Sequence, residues 1–366
     1  MEVVCIFVKI KVIKRRRVAD RVAAVVDFEE DDDHHITVCN KTSKGLPIIF
    51  SWEEIQKLTM NFAIVIGHGG FSTVYLAQFP NSAAAAVKIQ CCSSSERIDL
   101  AHKQELEILL HLNHPNIVKL IGHCHDTEKG ILVIEYVPNG TLQDALHNQS
   151  SKKVLPWRKR TAIAFQIALA MEYLHDNCTL HIVHGDIKSS NVLLDDKLDC
   201  KLCDFGSAKL GFSAMVAPPS STNRRTRAMI VGSPGYTDPH YLRTGLVSKK
   251  NDVYSFGVIL LELITGKEAL DPSTGRWLTA TAQPLLQQRG DEINPAVVEM
   301  MDPRLRGEFE LEDTKAMAAL AAACLADSPA LRPSASEILA TMRNRIPYSC
   351  DSFVKIKNKK LNRSSW

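Results

Sequence analysis

The sequence has little of what would assign it to a specialised class of protein. No apolar run reaches the eighteen or so residues that a membrane-spanning helix requires. The net charge of +3 is too small to predict nucleic acid or an anionic membrane as the main partner. Hydrophobic residues make up 45% and charged residues 23%, which is typical of a globular chain with a large buried core. The composition therefore leaves one large domain or two modest ones.

The ten cysteines also form no metal-binding pattern. The one close pair, Cys200 and Cys203, lies in a strand-like run, where residues three apart point to opposite faces. A zinc site of this type needs a second pair at similar spacing, and the sequence has none. We interpret the thiols as buried or incidental groups of a reduced, intracellular protein.

Residues 1–44 are predicted to form an N-terminal tail. They change from a basic apolar piece to an acidic run at residues 29–33, and blocks of like charge are typical of solvated tails. Glu2 excludes N-myristoylation, which needs glycine at this position. We expect a cytoplasmic protein, and contact of the N-terminus with the plasma membrane stays an open alternative. Residues 347–366 are basic without a sustained apolar period, which predicts a second tail.

Between the tails, the pattern of apolar residues changes once. As far as Val137, short β-branched runs recur and are interrupted by one helical stretch; beyond it, helical periods dominate. We therefore predict an α+β fold in one domain over residues 65–346. Its small lobe, residues 65–137, is an antiparallel β-sheet with one helix, and its larger lobe, residues 138–346, is mainly α-helical. A juxta-domain segment at residues 45–64 precedes them.

Two helices of the larger lobe are predicted in detail. The run TAIAFQIALAMEYLH places Ile163, Ile167, Met171 and Leu174 on one face at helical spacing. The run DVYSFGVILLELITG is apolar nearly all round, as expected of a helix buried inside a lobe. These two helices should form the core of the larger lobe.

A glycine-rich run, IGHGGFSTVYLAQF, opens the small lobe with Gly67, Gly69 and Gly70. Glycines let a backbone turn tightly and bring its N–H groups against phosphate oxygens, where a Cβ would obstruct. A dinucleotide-binding fold needs a helix after the glycines, but a strand pattern follows here. A Walker A loop needs GK[ST] at its end, which this run lacks. Taken alone, the run also fits a plain hairpin turn.

A lysine in an apolar strand, Lys88, is followed by Glu105 in the predicted helix of the small lobe. A buried ammonium is costly unless it is paired with a carboxylate. A lysine that holds nucleotide phosphates needs such a partner to fix its position. The alternative for this lysine alone is a side chain that extends along the surface to reach water.

The most specific pattern is HGDIKSSN followed by CDFG, which supplies Asp186, Lys188, Asn191 and Asp204. Phosphoryl transfer needs a carboxylate to orient the attacking hydroxyl and acceptors that hold magnesium against the phosphates. Asp186 suits the first task, and Asn191 and Asp204 suit the second. Lys188 can neutralise the γ-phosphoryl group as charge shifts.

Together these motifs resemble the eukaryotic protein kinase family, and within it the plant receptor-like kinases and their cytoplasmic relatives. The narrower match rests on FSWEEIQKLTMNF, HPNIVKLIGHC, LVIEYVPNGTL, GSPGY and DVYSFGVILLELITGK. The resemblance implies a two-lobed enzyme that binds ATP and Mg²⁺ in its cleft and phosphorylates serine or threonine of protein substrates in signalling. Upstream receptor kinases are candidate partners, and no nucleic acid is expected.

The alternative is a pseudokinase or nucleotide-binding signalling scaffold. Such proteins usually lose at least one of four residues, which correspond here to Lys88, Asp186, Asn191 and Asp204. All four are present. We therefore expect an active enzyme, with Lys88, Glu105, Asp186 and Lys188 in catalysis.

Carried onto this sequence, the resemblance gives Ile134 the gatekeeper position and places the backbone of Glu135 and Val137 at the adenine edge. It also implies that Leu109, Leu120, His184 and Phe205 stack, with Asp252 as their anchor. The full set expected to contact ATP comprises Ile66, Gly67, Gly69, Gly70, Phe71, Ser72, Val74, Ala86, Lys88, Ile134, Glu135, Val137 and Leu193.

The sequence departs from the family at three positions. In the small lobe, Ser72 stands where the third glycine usually sits. The other two departures lie in the larger lobe. Gly185 stands where many kinases have an arginine that pairs with a phosphorylated activation loop. We therefore expect basal activity to survive joint alanine replacement of four residues in that loop, Ser220, Ser221, Thr222 and Thr226. Ser233 is left out of that set, because its place in GSPGY resembles a family position that touches the catalytic site.

The second departure in the larger lobe is His240, in place of the glutamate that closes the activation segment. The resemblance implies that this glutamate pairs with an arginine, which here is Arg332. A neutral histidine cannot supply such a charge-assisted pair. We therefore expect lost stability and a less rigid peptide-docking platform, and a higher melting temperature once glutamate is restored.

Overall fold

The computed structural model describes residues 47–70, 72–90, 96–125, 130–148, 154–211, 232–286 and 295–346. These residues belong to two compact units. The small unit contains the described residues up to His111 and residues 119–139, and the large unit contains residues 112–118 and those from Gly140 onward. In these ranges no helix is both long and apolar enough to cross a membrane.

The small unit is built on a six-stranded sheet with the strand order β1-β5-β6-β4-β3-β2. Neighbouring strands are antiparallel except for β1 and β5, which are parallel. Its elements are β1 (Ile48–Phe50), α1 (Trp52–Leu58), β2 (Val65–His68), β3 (Ser72–Gln78), β4 (Ala84–Gln90), α2 (Glu96–His111), β5 (Leu120–Cys124) and β6 (Ile131–Glu135). The predicted sheet lobe is confirmed, and the segment before residue 65 adds β1 and α1 to it.

The juxta-domain segment packs on the sheet through apolar side chains. Phe50 of β1 and Ile55 of α1 are buried in one cluster with sheet residues such as Val87. A capping box starts α1, since the Ser51 side chain accepts from the backbone N–H of Glu54 while the Glu54 carboxylate accepts from that of Ser51.

Parallel pairing of β1 with β5 depends on a glycine. Ile48 lies beside Gly122 in the register, and a Cβ on Gly122 would lie 2.1 Å from the Ile48 carbonyl oxygen. Any other residue at position 122 would therefore push β1 away from the sheet.

The large unit is mainly helical. Its helices are α3 (Leu142–His147), α4 (Trp157–Glu172), α5 (Pro239–Thr244), α6 (Lys249–Thr265), α7 (Leu278–Leu286), α8 (Pro295–Glu299), α9 (Leu311–Cys324) and α10 (Ala335–Arg345), with short strands β7 (Ile182–Val183), β8 (Val192–Leu194), β9 (Cys200–Leu202) and β10 (Lys209–Leu210). Strands β7 and β10 form one antiparallel pair, and β8 and β9 form another.

The core of the large unit agrees with the helical periods of the sequence. On α4 and the π-helical turn after it, Ile163, Ile167, Met171 and Leu174 are all 0% exposed. Helix α6 is buried at every position from Asp252 onward. Both helix predictions are confirmed, and α6 carries its one early acidic residue, Asp252, into the interior.

Candidate functional site

The glycine-rich run forms a hairpin between β2 and β3. His68 lies opposite Thr73, and the backbone N–H of Gly69 donates to the carbonyl of Ser72 at 2.7 Å. A Cβ on Gly69 would lie 2.5 Å from the Ser72 hydroxyl, so a larger residue at this position would require the Ser72 side chain to rotate away. Ser72 itself is 9% exposed, and its hydroxyl is turned into the hairpin. Phe71 lies outside the described residues.

The strand lysine of β4 and the glutamate of α2 meet inside the small unit. Lys88 Nζ lies 2.7 Å from Glu105 Oε1 and 2.9 Å from Oε2. Glu105 is 5% exposed, so its charge depends on this ammonium. The pair holds the lysine head in one place, as a phosphate-binding lysine requires.

The apolar residues expected around adenine share one cluster of the small unit. Ile66 and Ala86 are buried there, and Val74 and Ile134 pack against them. The register explains this, because Ala86 lies directly opposite Ile134 on the neighbouring strand. The backbone N–H of Glu135 is bonded to the Lys119 carbonyl at 3.0 Å, while Val137 is buried just beyond β6. In the large unit, Leu193 lies on β8 and pairs with Thr141.

Asp186 is the centre of a small polar network in the large unit. Its Oδ2 lies 2.6 Å from Lys188 Nζ, and its Oδ1 accepts from the Ser233 hydroxyl at 2.7 Å. Lys188 Nζ also donates to Ser233 Oγ at 2.8 Å. The Asp186 side chain is 15% exposed, so the carboxylate is oriented by fixed partners and still reachable.

Asn191 supplies an oxygen that fits a metal ion. Its Nδ2 donates to the carbonyl and to Oδ2 of Asp186, at 2.9 and 3.2 Å, and these bonds fix which end of the amide is oxygen. That oxygen, Oδ1, is buried with no hydrogen-bond partner among the described residues. A buried acceptor without a partner is costly unless a ligand supplies one.

Asp204 is the second candidate ligand. Its backbone has φ of +66°, a left-handed conformation that costs of order 1–3 kcal/mol for a residue other than glycine. In the part of the chain that the structure describes, no three His, Cys, Asp or Glu side chains could hold a metal by themselves. Magnesium commonly takes only one or two protein ligands together with substrate phosphates. Asn191 and Asp204 fit that mode of binding.

Asp252 of α6 holds the backbone of the loop that carries Asp186. Its Oδ2 accepts from the N–H of His184 at 2.8 Å and lies 2.8 Å from His175 Nε2, while its Oδ1 accepts from the N–H of Gly185 at 2.9 Å. Burial alone would raise the pKa of Asp252, but these bonds and the nearby histidines lower it below its usual value. The carboxylate therefore stays ionised in the interior.

The residues expected to stack are buried in both units. In the large unit, the rings of His184 and Phe205 lie 4.8 Å apart between centroids, and both residues are fully buried. Leu109 and Leu120 are buried within the small unit. Asp252 fixes the position of His184, and with it the contact between His184 and Phe205, by accepting the backbone N–H of His184.

Gly185 occupies its position for a backbone reason. Its φ is +76°, and a Cβ there would lie 2.8 Å from the carbonyl oxygen of Ser207. The arginine that many kinases carry at this position would meet the same obstacle. The four loop residues of the phosphorylation hypothesis, Ser220, Ser221, Thr222 and Thr226, lie outside the described residues, so that hypothesis stays a prediction.

We expect Gly185→Ala to lower the melting temperature more than Gly275→Ala does. Gly275 has a similar φ of +67°, but a Cβ added there would have no atom within 4 Å, so it carries the conformational cost alone, about 1–2 kcal/mol. Gly185→Ala adds the contact with Ser207. Calorimetry of both variants measures the difference, and equal losses would show that the Ser207 carbonyl moves aside freely.

The prediction that His240 leaves Arg332 without a carboxylate is wrong. Arg332 Nη1 and Nη2 donate to the two oxygens of Asp238, at 2.6 and 2.8 Å, and both residues are 2% exposed. The error lay in assigning the carboxylate to one position only. A carboxylate two residues earlier reaches the same guanidinium as a bidentate pair.

Sequence reasoning missed two residues of the site, His175 and Asp238. His175 lies in the π-helical turn after α4, where only the fold reveals that it meets Asp252. For Asp238 a signal existed, because an acidic residue near a missing glutamate is an obvious substitute. Ser233 lies against Asp186, in keeping with its place in GSPGY.

Comparison with known proteins gives consistent matches. The family model described as "Protein kinase domain" matches residues 61–342. A probable receptor-like protein kinase of Arabidopsis thaliana is 48% identical over 309 residues, which is 83% of this chain and 90% of that protein. The salt tolerance receptor-like cytoplasmic kinase 1 of Oryza sativa subsp. japonica is 48% identical over 312 residues, which is 84% of this chain and 83% of that protein.

A more distant relative shares the same region. A probable LRR receptor-like serine/threonine-protein kinase of Arabidopsis thaliana is 37% identical over 296 residues, which is 81% of this chain but 33% of that longer protein. The similarity therefore covers most of this chain and only a part of the larger relative.

Proposed function

The chain belongs to the protein kinase family, and from this premise we propose how its residues divide the transfer of the γ-phosphoryl group from ATP to serine and threonine hydroxyls of proteins. Its relatives include plant receptor-like kinases. The family establishes the reaction class, and the roles of single residues below are our proposal.

The small unit would hold the nucleotide. Lys88, fixed by Glu105 at 2.7 Å, would bind phosphate oxygens, and the backbone of the glycine hairpin would lie over them. Ala86 and Ile134, opposite each other on neighbouring strands, would offer apolar surface to the adenine ring. ATP would thus be oriented before any bond changes.

The large unit would carry the chemistry. The substrate hydroxyl oxygen bonds to the γ-phosphorus while the bond to the β-phosphate oxygen of ADP breaks, and Asp186 accepts the hydroxyl proton. Lys188, 2.6 Å from Asp186, would neutralise charge on the transferred group. Ser233 holds Asp186 in one orientation. Asn191 and Asp204 would hold magnesium, which when bound supplies neutralisation of phosphate charge.

Partners and location follow from the relatives' names and are proposals. We infer protein substrates, and receptor kinases as upstream partners, because the similar proteins are named receptor-like kinases. The rice relative is named a cytoplasmic kinase, and we propose the cytoplasm for this protein as well.

The observation that carries the proposal is the arrangement around Asp186. A reachable carboxylate with a lysine and a hydroxyl on its oxygens, beside an amide oxygen without a partner, suits hydroxyl activation near a metal-bound phosphate. A scaffold that only binds nucleotide has no need of this arrangement, and the three relatives described above are named as kinases.

The test uses the purified protein with γ-labelled ATP, magnesium and a generic basic protein, followed by phosphoamino acid analysis. We expect label on serine and threonine. Lys88→Met serves as the matched preparation and should transfer label about 10²-fold more slowly, because one fixed positive charge on the phosphates is lost. Equal rates in both preparations would indicate a contaminating kinase, and no transfer by the wild type would favour the scaffold.

A further inference from the structure

The segment from Gly232 to Asp238 is held at both of its ends. At its start, Ser233 Oγ donates to Asp186 and accepts from Lys188 Nζ. At its end, Asp238 lies under the first turn of α5. The catalytic carboxylate and the buried Asp238 are therefore connected through a short stretch of chain.

Asp238 receives four hydrogen bonds. Two come from the guanidinium of Arg332, one comes from Asn251 Nδ2 at 2.9 Å, and one comes from the backbone N–H of His240 at 2.8 Å. A carboxylate that is 2% exposed is stable as an anion only when its oxygens are satisfied in this way.

Arg332 is itself fixed from several sides. Its Nε donates to the Ala326 carbonyl at 2.8 Å and its Nη1 donates to the Lys250 carbonyl at 3.0 Å. Its guanidinium carbon lies 5.1 Å from the centre of the Tyr254 ring. Asp238 is thus tied to a group that cannot follow it if the segment shifts.

The residues between the two ends transmit this fixation. The Thr237 hydroxyl donates to the Ser233 carbonyl at 2.9 Å, and the Tyr236 N–H donates to the same carbonyl at 3.1 Å. The Ser255 hydroxyl of α6 donates to the Tyr236 carbonyl at 2.9 Å. The turn is therefore a short, internally bonded unit on a buried helix.

We propose that Asp238 is a positioning residue for Asp186, acting through Ser233, and that it takes the part the family gives to the glutamate at position 240. The proposal rests on the proposed kinase function. Asp238 caps α5 and His240 lies inside it, so the carboxylate that meets Arg332 stands two residues before the position of the family's glutamate.

Removing the charge of Asp238 leaves Arg332 buried without a counter-ion and releases the segment that presents Ser233. Asp186 then loses one of the bonds that orient it. The effect should fall on kcat and on the KM for protein substrate, because the ATP-binding residues are elsewhere. A residue with only a structural role would lower the melting temperature without a selective change in kcat and in the KM for protein substrate.

Four variants of the full chain test the proposal: Asp238→Asn, His240→Glu, Ser233→Ala and the double variant Asp238→Asn/Ser233→Ala. At a temperature well below unfolding, Asp238→Asn should lower kcat about 10-fold or more, with the KM for ATP within about 2-fold of wild type. Its melting temperature should fall by more than about 5 °C. His240→Glu should stay within about 2 °C of wild type.

The double variant decides whether Asp238 acts through Ser233. If it does, the losses of kcat are not additive, and the double variant is little slower than the slower single variant. Additive losses, or a clear rise in melting temperature for His240→Glu, would overturn the proposal. Should Asp238→Asn fail to fold, Asn251→Ala replaces it in the same cycle, because it removes one bond to Asp238 and keeps the ion pair, and Ser248→Ala serves as its control since both variants disrupt the capping box of α6. A wild type without activity would overturn the kinase function as well, whereas an active wild type with additive losses overturns this inference alone.

Discussion

Replacing Asp186 by asparagine is expected to lower kcat about 10³-fold while the protein stays folded. An amide cannot accept the proton of the substrate hydroxyl, and its NH₂ group would face either Lys188 Nζ or the Ser233 hydroxyl. Lys188 is 5% exposed and loses its carboxylate partner, so stability should fall by about 3 kcal/mol and the melting temperature by roughly 6–12 °C, which still leaves a folded protein for the assay. Steady-state kinetics and calorimetry on one preparation measure both effects.

The matched control is Asp176→Asn. Asp176 pairs with Lys249 at 2.9 Å on the surface. The variant therefore loses a carboxylate–lysine contact that lies away from Asp186. We expect wild-type kcat and KM from it. An Asp186→Asn variant within 10-fold of wild-type kcat would contradict the role of Asp186 as the residue that receives the proton.

Asp252→Asn is expected to damage stability and turnover together. An asparagine can accept at one oxygen only, so its NH₂ group faces the backbone N–H of His184 or of Gly185, which is then buried without an acceptor. The cost should be about 3 kcal/mol, or roughly 6–12 °C in melting temperature. A catalytic loop displaced by about 1 Å should lower kcat about 10²-fold even where the variant is folded.

A second buried carboxylate gives the contrast for Asp252. Burial and the neighbouring Glu310 raise the pKa of Asp313, which is 6% exposed, so the charged form is disfavoured in the fold. Asp313→Asn should therefore keep or slightly raise the melting temperature. The pKa of Asp252 is lowered instead, so its stabilisation is present at neutral pH and is lost as pH falls below the usual carboxyl range near 3.9. Equal losses of melting temperature in Asp252→Asn and Asp313→Asn would contradict this account.

The features that sequence predicted best depend on local periods and on motif chemistry. Ile163 and Ile167 are buried on α4, as their helical spacing predicts, although the helix is buried on its other sides there as well. Lys88 and Glu105 meet because a lysine within a sheet requires a counter-charge. Both conclusions follow from a few neighbouring residues and general rules.

What could not be predicted depends on encounters between distant parts of the chain. Nothing near Ile48 indicates that it lies beside Gly122, because the parallel pairing of β1 and β5 joins segments that are far apart in the chain. The sequence offers Asp238 as an acidic residue near His240, but only the position of the start of α5 shows that it meets Arg332. The unpartnered oxygen of Asn191 likewise appears only when its amide bonds are known.

Helix α1 and strand β1 also bear on how the enzyme can be shortened. The match of the protein kinase domain model begins at residue 61, yet Phe50 and Ile55 cover apolar side chains of the sheet from outside that match. A recombinant fragment trimmed to the match would present Val87 and its neighbours to water, together with an unprotected strand edge on β5. Aggregation of such a fragment would therefore reflect a missing cover on the sheet rather than a fault in the catalytic machinery.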